Sequence, residues 1–530
     1  MPRKPPKKTA ASRKPPKSAL PRKTKAGIKS KASSARPKEP LRRRTGPVEA
    51  VVAEPVTQGV GFPVVGVGAS AGGLEAFTLL LQRLPTDTGM AFVLVQHLHP
   101  EYESALTEIL SRATGMPVAE AVDGMPVEPD HIYVIPPNVY LAMLHGVLHL
   151  LPRMSVSGQN LPIDHFFRSL AEDQGSKAIG VILSGTASDG VLGLKAIKGE
   201  GGITFAQDEK SAKYNGMPHS AITAGCVDFV LPPDKIAAEL ARIARHPFLA
   251  HARPDWVRKG VSADETLPAS KDDLNKVFLL LRRFSGNDFT YYKHTTIQRR
   301  VRRRMLLHKL DKLKDYVRYL QEHPNEVRDL FHDLLINVTS FFRDPEAFTA
   351  LKQTVFPAIL GRTEEAPVRI WVPGCASGEE AYSIAITLLE YLGDHGNGTP
   401  IQIFATDIDD EAVEKARAGI YPENITSDVS AERLRRFFVK VESGYQISKQ
   451  IRDMCVFANQ NVIKDPPFSK VDLISCRNLL IYLGQVLQKK VLTTFHYALK
   501  PGGFLLLGTA ESIGEFADLF RTVDPKVKLY

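Results

Sequence analysis

Residues 62–73 read FPVVGVGASAGG, and LEAFTLLLQRL follows at 74–84. The first stretch is a short apolar run that passes directly into small residues, which is typical of a buried strand and a tight turn. The second has apolar residues at helical spacing. AFVLVQHL (91–98), IYVIPP, AIGVILSG and CVDFVLP repeat the strand pattern, with helical stretches between them. This alternation predicts an α/β domain over residues 60–246, with a parallel sheet covered by helices on both faces.

A second series of strands and helices begins at VRIWVPG (368–374) and continues through IQIFATDID (401–409), VDLISC (471–476) and GGFLLLGT (502–509). It predicts a second doubly wound, mainly parallel α/β domain over residues 346–530. Between Ile420 and Phe457 apolar and polar residues alternate. This segment therefore indicates a small antiparallel subdomain within the second domain.

The region between the two α/β domains has a different pattern. Residues 247–270 end in the polar stretch VRKGVSADETLPAS and predict a linker. Residues 271–345 predict a small all-helical domain, because Ile297, Val301, Met305 or Leu306, and Leu310 have helical spacing. The run QRRVRRRM in this segment carries five arginines, which on composition alone indicate a solvated helix face.

The chain has 530 residues and a net charge of +10, but the basic charge is concentrated at its start. Residues 1–50 hold 17 lysines and arginines against Glu39 and Glu49, a net charge of +15, so the remainder carries −5. This Lys- and Pro-rich stretch has no apolar run, so we expect a disordered basic tail and linker over residues 1–59. Such a tail can contact nucleic acid or an anionic membrane surface, or serve only as a solubilising extension.

The sequence has no feature of a membrane or secreted protein. It contains no uninterrupted apolar run of about 18 residues, so we expect no transmembrane segment, and the tail lacks the apolar middle of a secretory signal. Cys226, Cys375, Cys455 and Cys476 are far apart and form no CxxC motif. We therefore expect no disulfide framework and no metal site, which fits a reducing cytoplasm.

Ser70 lies in GASAGG, where the first predicted strand gives way to a helix. Gly68, Gly72 and Gly73 permit a tight turn that exposes a hydroxyl at the carboxyl edge of the sheet. The free N–H groups at the start of the next helix can stabilise an oxyanion. Taken alone, however, the motif favours a phosphate-binding loop or a plain turn.

His97 in VLVQHLHP and Asp189 in ILSGTASDG each follow another predicted strand. Because the carboxyl ends of neighbouring parallel strands meet at one edge of a sheet, we expect both to converge on Ser70. A hydroxyl, an imidazole and a carboxylate are the three groups of an acyl-transfer triad. Two alternatives stay open: His99 is a rival for His97, and Asp189 also suits a turn.

These residues resemble the chemotaxis protein-glutamate methylesterases, in their CheB-type catalytic domain. The similar stretches are GASAGG, VQHLHP, VYLAM, LSGTASDG, the QDE after GGITFA, and GMPHSA, in the family's order over residues 60–245. The resemblance implies that Ser70, His97 and Asp189 are catalytic and that the amides of Ala71 and Thr186 form the oxyanion hole. Thr186 stands where the family usually has Met. Deamidation of receptor glutamines is also implied, whereas we expect no phosphorylation-controlled receiver domain.

WVPGCASGEEAYSIA (371–385) predicts a strand, a turn of small residues from Gly374 to Gly378, and a helix. Backbone can approach a cofactor closely in this layout. Glu379 and Glu380 would repel a pyrophosphate and suit a cationic amino acid or a sulfonium, and Asp407 after the next strand suits ribose hydroxyls. No Gly-Lys-Ser/Thr follows, which excludes a triphosphate P-loop. A dinucleotide enzyme stays open as an alternative.

The second half resembles the chemotaxis protein-glutamate O-methyltransferases of the CheR type. NVTSFFRDP, PGCASGEEAYSIA, ATDID, NV at 461–462 and CRNLLIY carry the similarity, which extends over residues 272–530. It implies S-adenosylmethionine as cofactor, and it places Arg343 and Tyr482 near the methyl-transfer centre. By position, the cofactor contacts are Asn337, Thr339, Arg343, Glu380, Asp407, Asn461, Val462, Arg477 and Asn478.

Together the two resemblances imply an enzyme that methylates glutamates of methyl-accepting chemoreceptors or related signalling proteins and also removes those methyl groups. The CheR-type resemblance gives the arginine-rich helix a second interpretation, as a surface that docks onto an acidic receptor bundle. An alternative to the bifunctional enzyme is a signalling scaffold in which one or both sites bind without turnover.

Overall fold

The computed structural model describes residues 60–97, 105–153, 160–246, 271–361, 367–393 and 400–530. The predicted basic tail, the linker at 247–270 and His99 lie outside these residues. Within the described ranges, no helix combines the length and the apolar character that crossing a bilayer requires.

The first α/β domain is built on a seven-stranded sheet in which every pair of neighbours is parallel. Its strands, in spatial order, are β10 (Phe229–Leu231), β9 (Ile203–Gln207), β8 (Ala178–Ile182), β1 (Val64–Ala69), β2 (Ala91–Gln96), β5 (Ile132–Val134) and β3 (Val118–Glu120). All residues of β1 and β8 are buried. The sheet is thus covered on both faces, as the apolar runs predict.

Six helices flank this sheet: α1 (Gly73–Arg83), α2 (Leu106–Ser111), α3 (Pro162–Gln174), α4 (Val191–Gly199), α5 (Gly216–Thr223) and α6 (Pro233–Ala244). One face of the sheet packs with α1, α2 and α6, and the other with α3, α4 and α5. A small antiparallel sheet of β4 (Met125–Pro126), β7 (Val147–Pro152) and β6 (Val139–Leu144) was not predicted from the sequence. It includes the VYLAM stretch, and β6 packs against α3.

The helical region consists of α7 (Lys271–Ser285), α8 (His294–Leu307), α9 (Leu313–Glu322) and α10 (Pro324–Leu334). Ile297, Val301 and Met305 are buried in its core, and Leu310 packs against that core. The predicted helical stripe is therefore confirmed for Ile297, Val301 and Met305, whereas Leu310 lies beyond the end of α8 at Leu307. Leu306 instead joins the core of the first domain, because the opposite face of α8 packs there.

The arginines of α8 differ from both interpretations of the sequence, since Arg300 and Arg303 are only 1% exposed. Arg300 donates to the carbonyl oxygens of Lys198 (Nη1, 2.7 Å) and Gly199, at the carboxyl end of α4. Arg303 reaches Asp228 in the first domain. These two guanidinium groups are therefore neither solvated nor open to another protein.

The second α/β domain has a five-stranded parallel sheet, ordered β16 (Cys455–Asn459), β12 (Ile401–Asp407), β11 (Val368–Pro373), β17 (Val471–Cys476) and β18 (Leu499–Leu507). Its longer helices are α13 (Glu379–Leu392), α14 (Asp410–Ala418) and α17 (Gln485–Ala498), and shorter ones are α11 (Pro345–Ala350), α12 (Phe356–Leu360), α15 (Ala431–Phe437) and α16 (Lys449–Arg452). The predicted antiparallel subdomain is a three-stranded sheet of β13 (Ile420–Tyr421), β15 (Gly444–Ile447) and β14 (Phe438–Val441).

Candidate active sites

The register of two central strands places Ser70 beside His97. In the parallel pair of β1 and β2, Ala69 lies opposite Gln96, which are the last residues of their strands. Ser70 and His97 are the next residues along, and adjacent strands lie about 4.8 Å apart. The expected convergence of these two positions at one sheet edge is thus present in the backbone.

Asp189 lies between β8, the other neighbour of β1, and helix α4. Its Oδ2 accepts a hydrogen bond from His97 Nε2 at 3.0 Å, and its side chain is 2% exposed. The amides of Ile163 and Asp164, in the first turn of α3, donate to its two oxygens at 3.0 and 2.9 Å. The carboxylate is therefore fixed on three sides, and His97 keeps Nδ1 for another partner. Among the described residues, no hydrogen bond joins the Ser70 hydroxyl to this ring.

The turn after Ser70 is closed by Ser184, which the sequence analysis missed. Ser184 Oγ donates to Ala71 O at 2.8 Å and accepts from the Tyr214 amide at 3.0 Å. Gly72 has a φ of 75°, and a Cβ at this position would lie 2.7 Å from Ser184 Oγ. Only glycine fits both the backbone conformation and the space.

The two predicted oxyanion amides lie on loops on either side of Ser70. Ala71 follows Ser70, and Thr186 is an exposed residue in the loop that leads to Asp189. Neither amide donates to another residue in the described part of the chain. Both N–H groups are thus available for a substrate oxygen.

Asp164 is a second carboxyl beside Asp189 that the sequence analysis did not identify. Its side chain is 3% exposed and accepts a hydrogen bond from the Gly193 amide at 2.7 Å. Burial and the neighbouring Asp189 raise the pKa of Asp164 to about 7. No short sequence motif indicates this role of Asp164, because its hydrogen-bond partners come from distant segments.

A separate cavity opens at the carboxyl edge of the second sheet. It lies where the loops after β11 and β17 meet the segment before α11. Its lining consists of Ile336, Val338, Thr339, Arg343, Val372, Pro373, Gly374, Cys375, Ala376, Glu380, Ser475, Arg477, Asn478 and Tyr482.

Glu380 and Arg477 form the charged centre of this cavity. Glu380 accepts hydrogen bonds from Ser475 Oγ and Arg477 Nη1, both at 2.8 Å. Arg477 also donates from Nη2 to Asp344 at 2.6 Å, and its buried Nε has no partner among the described residues. Burial acts to lower the pKa of Arg477, but the two carboxylates outweigh it and the pKa is raised. The guanidinium therefore stays charged and keeps one unused donor.

Of the nine residues predicted around the cofactor, five line the cavity: Thr339, Arg343, Glu380, Arg477 and Asn478. Tyr482, predicted beside the transfer centre, lines it as well. The four that do not line it are Asn337, Asp407, Asn461 and Val462.

Three of the four residues outside the lining bond to other parts of the protein. Asn337 Nδ2 donates to Asp409 at 2.5 Å, and Asn461 Nδ2 donates to Asn287 in the helical region at 2.7 Å. Asp407 accepts from the Ala376 amide at 2.8 Å and so holds the small-residue turn. Their contacts shape the surroundings of the cavity.

Four residues other than glycine have positive φ angles around this cavity: Phe342 (52°), Asp344 (55°), Ala376 (45°) and Asn478 (60°). Such conformations cost free energy and concentrate at functional sites. Glu511, another residue that the sequence analysis missed, accepts from the amides of Asn478 and Gly508 at 2.9 and 2.7 Å. It thereby supports the strained turn at Asn478.

Three family models match the chain. The model described as "CheB methylesterase" matches residues 65–240, "CheR methyltransferase, all-alpha domain" matches 272–335, and "CheR methyltransferase, SAM binding domain" matches 337–529. The matched ranges correspond to the first sheet, the four helices α7 to α10, and the second sheet with its cavity.

Curated relatives match one or both halves. An "Uncharacterized 104.1 kDa protein in hypE 3'region" from Rhodobacter capsulatus is 35% identical over 439 residues, 80% of this chain and 46% of that protein. The "Putative methyltransferase Cher3" of Pseudomonas putida is 33% identical over 46% of this chain and 88% of its own length. A "Protein-glutamate methylesterase/protein-glutamine glutaminase 2" of Burkholderia mallei is 36% identical over 36% of this chain and 57% of its own. The chain thus spans under half of the length of the Rhodobacter protein.

The cavity fits S-adenosylmethionine, the cofactor named by the matching domain model. The unused Nε–H of Arg477 suits the carboxylate of the cofactor, and the Glu380 carboxylate suits its ammonium group. Gly374, with a φ of 71°, lets the backbone turn at the cavity wall.

Proposed function

Because the chain belongs to the CheB methylesterase and CheR methyltransferase families, we propose that it is a bifunctional enzyme of protein glutamates. One half hydrolyses glutamate methyl esters, and the other methylates glutamate carboxylates. The hydrogen bond between His97 and Asp189, at the sheet edge that carries Ser70, is the observation that carries the hydrolytic half.

In the proposed hydrolysis, the Ser70 hydroxyl attacks the ester carbonyl and passes its proton to His97. With Nε2 bonded to Asp189, Nδ1 is the ring nitrogen left to receive that proton. Asp189 stabilises the imidazolium, and the amides of Ala71 and Thr186 stabilise the oxyanion. His97 gives this proton to the departing methanol, which leaves the glutamate esterified to Ser70. A water molecule, deprotonated by His97, then attacks this ester, and His97 returns the proton to Ser70 as the glutamate is released.

Glutamine deamidation is a second proposed reaction of this site. Amide and ester pass through similar tetrahedral intermediates, so the same groups can release ammonia in place of methanol. The Burkholderia relative carries both activities in its name.

In the proposed methyl transfer, bound S-adenosylmethionine supplies a methyl group on a positively charged sulfonium. Arg343 can hold the acceptor carboxylate by two parallel hydrogen bonds, and its Nη1 lies 3.3 Å from Val338 O. Burial raises the pKa of Tyr482, so its hydroxyl stays protonated and can orient the acceptor. A carboxylate is already nucleophilic at neutral pH, so alignment by these residues is the main requirement.

The test is to follow labelled methyl from S-adenosylmethionine onto a chemoreceptor fragment and then its release as methanol. We expect Ser70→Ala to abolish release while uptake continues, and Arg343→Ala to abolish uptake while release from a premethylated fragment continues. Release that survives Ser70→Ala would contradict the triad. Tight cofactor binding without uptake by any receptor would instead favour the signalling scaffold.

We further propose domain boundaries at residues 60–246, 271–345 and 346–530, chemoreceptors as the modified partners, and the cytoplasm as the location. Cys226, Cys375, Cys455 and Cys476 are free thiols, which supports a reducing compartment. Contact of the basic tail with nucleic acid or an anionic membrane is a separate proposal. Such binding should weaken steeply with added salt and disappear when residues 1–59 are deleted.

A further inference from the structure

The Asp189 carboxylate is held by the first turn of helix α3, and the Asp164 side chain of that turn bonds to helix α4. Asp189 accepts the Ile163 and Asp164 amides of the first turn of α3. The Asp164 side chain in turn accepts the Gly193 amide of the first turn of α4. Asp164 thus ties together the two helix starts that flank Asp189.

The methyltransferase half also contacts this point. Asn424 lies in the 3-10 helix Glu423–Ser427, near the three-stranded sheet, and its side chain is fully buried. Its Nδ2 donates to Asp164 Oδ2 at 3.2 Å. One turn further along α3, Arg168 donates to both oxygens of Asp428 at 2.9 and 3.3 Å. Asn424 and Asp428 of the transferase half therefore both bond to side chains of α3, the helix whose amides hold Asp189.

We propose that Asn424, a residue of the methyltransferase half, is a positioning residue for the hydrolytic triad. It holds the Asp164 carboxyl group, and through it the amides that fix Asp189. The hydrolytic site is then complete only when the second enzyme is docked against the first. This inference rests on the hydrolysis proposed above.

The electrostatics around Asp164 explain why a donor is needed there. Two carboxyl groups in a buried space repel each other, and burial together with Asp189 raises the pKa of Asp164. The Gly193 amide, the Arg168 charge and the Asn424 amide oppose this rise. Without Asn424, Asp164 is left with one hydrogen bond fewer in a dry site, and the first turn of α3 loses a restraint. Small displacements of catalytic groups reduce rates strongly.

The experiment uses the full chain and a small probe, N-acetyl-glutamate γ-methyl ester N-methylamide, whose hydrolysis needs no receptor docking. We expect Asn424→Ala and the isosteric Asn424→Asp to lower kcat for methanol release about ten-fold or more, because a buried hydrogen bond that holds the Asp164 carboxyl group is lost. KM should change less than about two-fold, since neither variant touches the probe. The double variant Asp164→Asn with Asn424→Asp restores an amide–carboxylate pair in the reverse sense and should recover most of kcat.

Three matched measurements separate positioning from general damage. Asn459→Ala removes an exposed asparagine of the same half, which bonds only Ile408 O at 3.0 Å, and should leave hydrolysis unchanged. Asp428→Asn weakens the neighbouring ion pair and should reduce kcat much less than Asn424→Asp does. Because a buried hydrogen bond is lost, the melting temperatures of the Asn424 variants should fall, so kcat is measured well below them. Methyl transfer by the folded variants should stay near that of the unaltered chain.

Three results would contradict the positioning role of Asn424. Unchanged kcat in Asn424→Asp, or a double variant no better than its single parents, overturns the positioning role while Ser70-dependent hydrolysis still stands. A fall in kcat that tracks a fall in melting temperature across all variants also overturns it. Absence of Ser70-dependent methanol release from the unaltered chain overturns the proposed hydrolysis and this inference together.

Discussion

Asp189 accepts hydrogen bonds from three groups that are far apart in the sequence: His97 Nε2 and the amides of Ile163 and Asp164. Three donors from different directions hold the carboxylate in one orientation, which is what a carboxylate that orients a catalytic histidine needs. The single residue thus links one sheet edge with one helix start.

The first prediction concerns this carboxylate. Asp189→Asn keeps the size of the side chain but removes its charge and presents an N–H to the histidine. We expect kcat for methanol release to fall roughly 10³- to 10⁴-fold, as for the loss of a triad acid. Methanol release is the measurement, and Asp234→Asn, which changes an exposed carboxylate in the first turn of α6, is the control. Loss of less than about ten-fold would show that another group orients His97.

The second prediction concerns stability against pH at Asp164. Its pKa is raised from 3.8 to about 7, so the folded state favours the protonated acid. This contribution to stability is fully present below the ordinary carboxyl pKa and is lost as the pH rises through about 7. We expect the melting temperature of Asp164→Asn to depend less on pH between about 4 and 7 than that of the unaltered chain. Parallel curves for the two proteins would contradict the raised pKa.

At the scale of elements, the turn after β1 positions the residues at the strand ends, and the two faces of helix α8 pack against different domains. The turn between β1 and α1 requires Gly72, with a φ of 75°, and is closed by Ser184 from the loop after β8. Helix α8 presents apolar residues to its own bundle and buried arginines to the first domain. The glycine turn and helix α8 each have a recognisable local sequence pattern, but each also depends on a contact with a segment that is distant in the sequence.

The third prediction tests the turn at Gly72. Gly72→Ala adds a Cβ 2.7 Å from Ser184 Oγ in a left-handed conformation, so we expect loss of methanol release of about ten-fold or more. Gly225→Ala is the matched control, because Gly225 has a φ of 69° and nothing within 4 Å of the added Cβ. It should lose about 1 kcal/mol of stability from backbone strain and keep hydrolysis. Equal methanol release by the two variants would show that the turn at Gly72 accommodates a Cβ.

The fourth prediction tests the buried arginine of α8. Arg303 donates to both oxygens of Asp228, at 2.5 and 2.6 Å, and to Asp333. Arg303→Ala removes the shortest ion pair of two buried carboxylates and leaves the longer pairs Lys198–Asp228 (3.5 Å) and Arg304–Asp333 (4.0 Å). We therefore expect a loss of about 3 kcal/mol in the free energy of unfolding. Arg328→Ala, at a side chain that is 54% exposed, should change it by less than about 0.5 kcal/mol. Similar values for both variants would mean that the interface around Arg303 opens in solution.

At the scale of the molecule, the described residues from 60 to 530 belong to one compact unit that contains both α/β domains. Helices α3 and α4 of the first half contact Asn424, Asp428 and Arg300 of the second. The contacts are buried hydrogen bonds and ion pairs, which hold a fixed arrangement only when every partner is in place. The two α/β domains are thus joined by direct contacts between their side chains and backbones.

The fifth prediction belongs to this scale. A ligand that binds only the folded second half, S-adenosylhomocysteine, should stabilise it by about 2.7 kcal/mol at a hundred times its Kd. Because the halves share buried contacts, we expect calorimetry to show one unfolding transition that moves as a whole. Arg477→Ala should abolish the shift. Two transitions, of which the ligand moves only one, would show that the halves unfold independently.

Much of the fold and part of each site could be predicted from the sequence. Apolar runs that pass into glycine turns mark parallel strands, and the carboxyl ends of such strands meet at one edge, which is why Ser70, His97 and Asp189 could be grouped. In the second half, Glu380 follows the turn of small residues, Arg343 lies in the NVTSFFRDP stretch, and both line the cavity. Asp407, Asn337 and Asn461 were placed at the cofactor by motif, but their side chains bond to protein groups around the cavity.

The sequence by itself determined the class of each domain and indicated which residues to group as candidate reactive groups, because both follow from local periodicity and short motifs. Tertiary structure alone decided the positions of Asp164, Ser184, Glu511 and Asn424, and the burial of Arg300 and Arg303. Their roles depend on partners from segments far away in the chain. Local patterns carry no information about which distant surfaces meet, since hydrophobic packing and buried charge pairing of the whole molecule settle that contact.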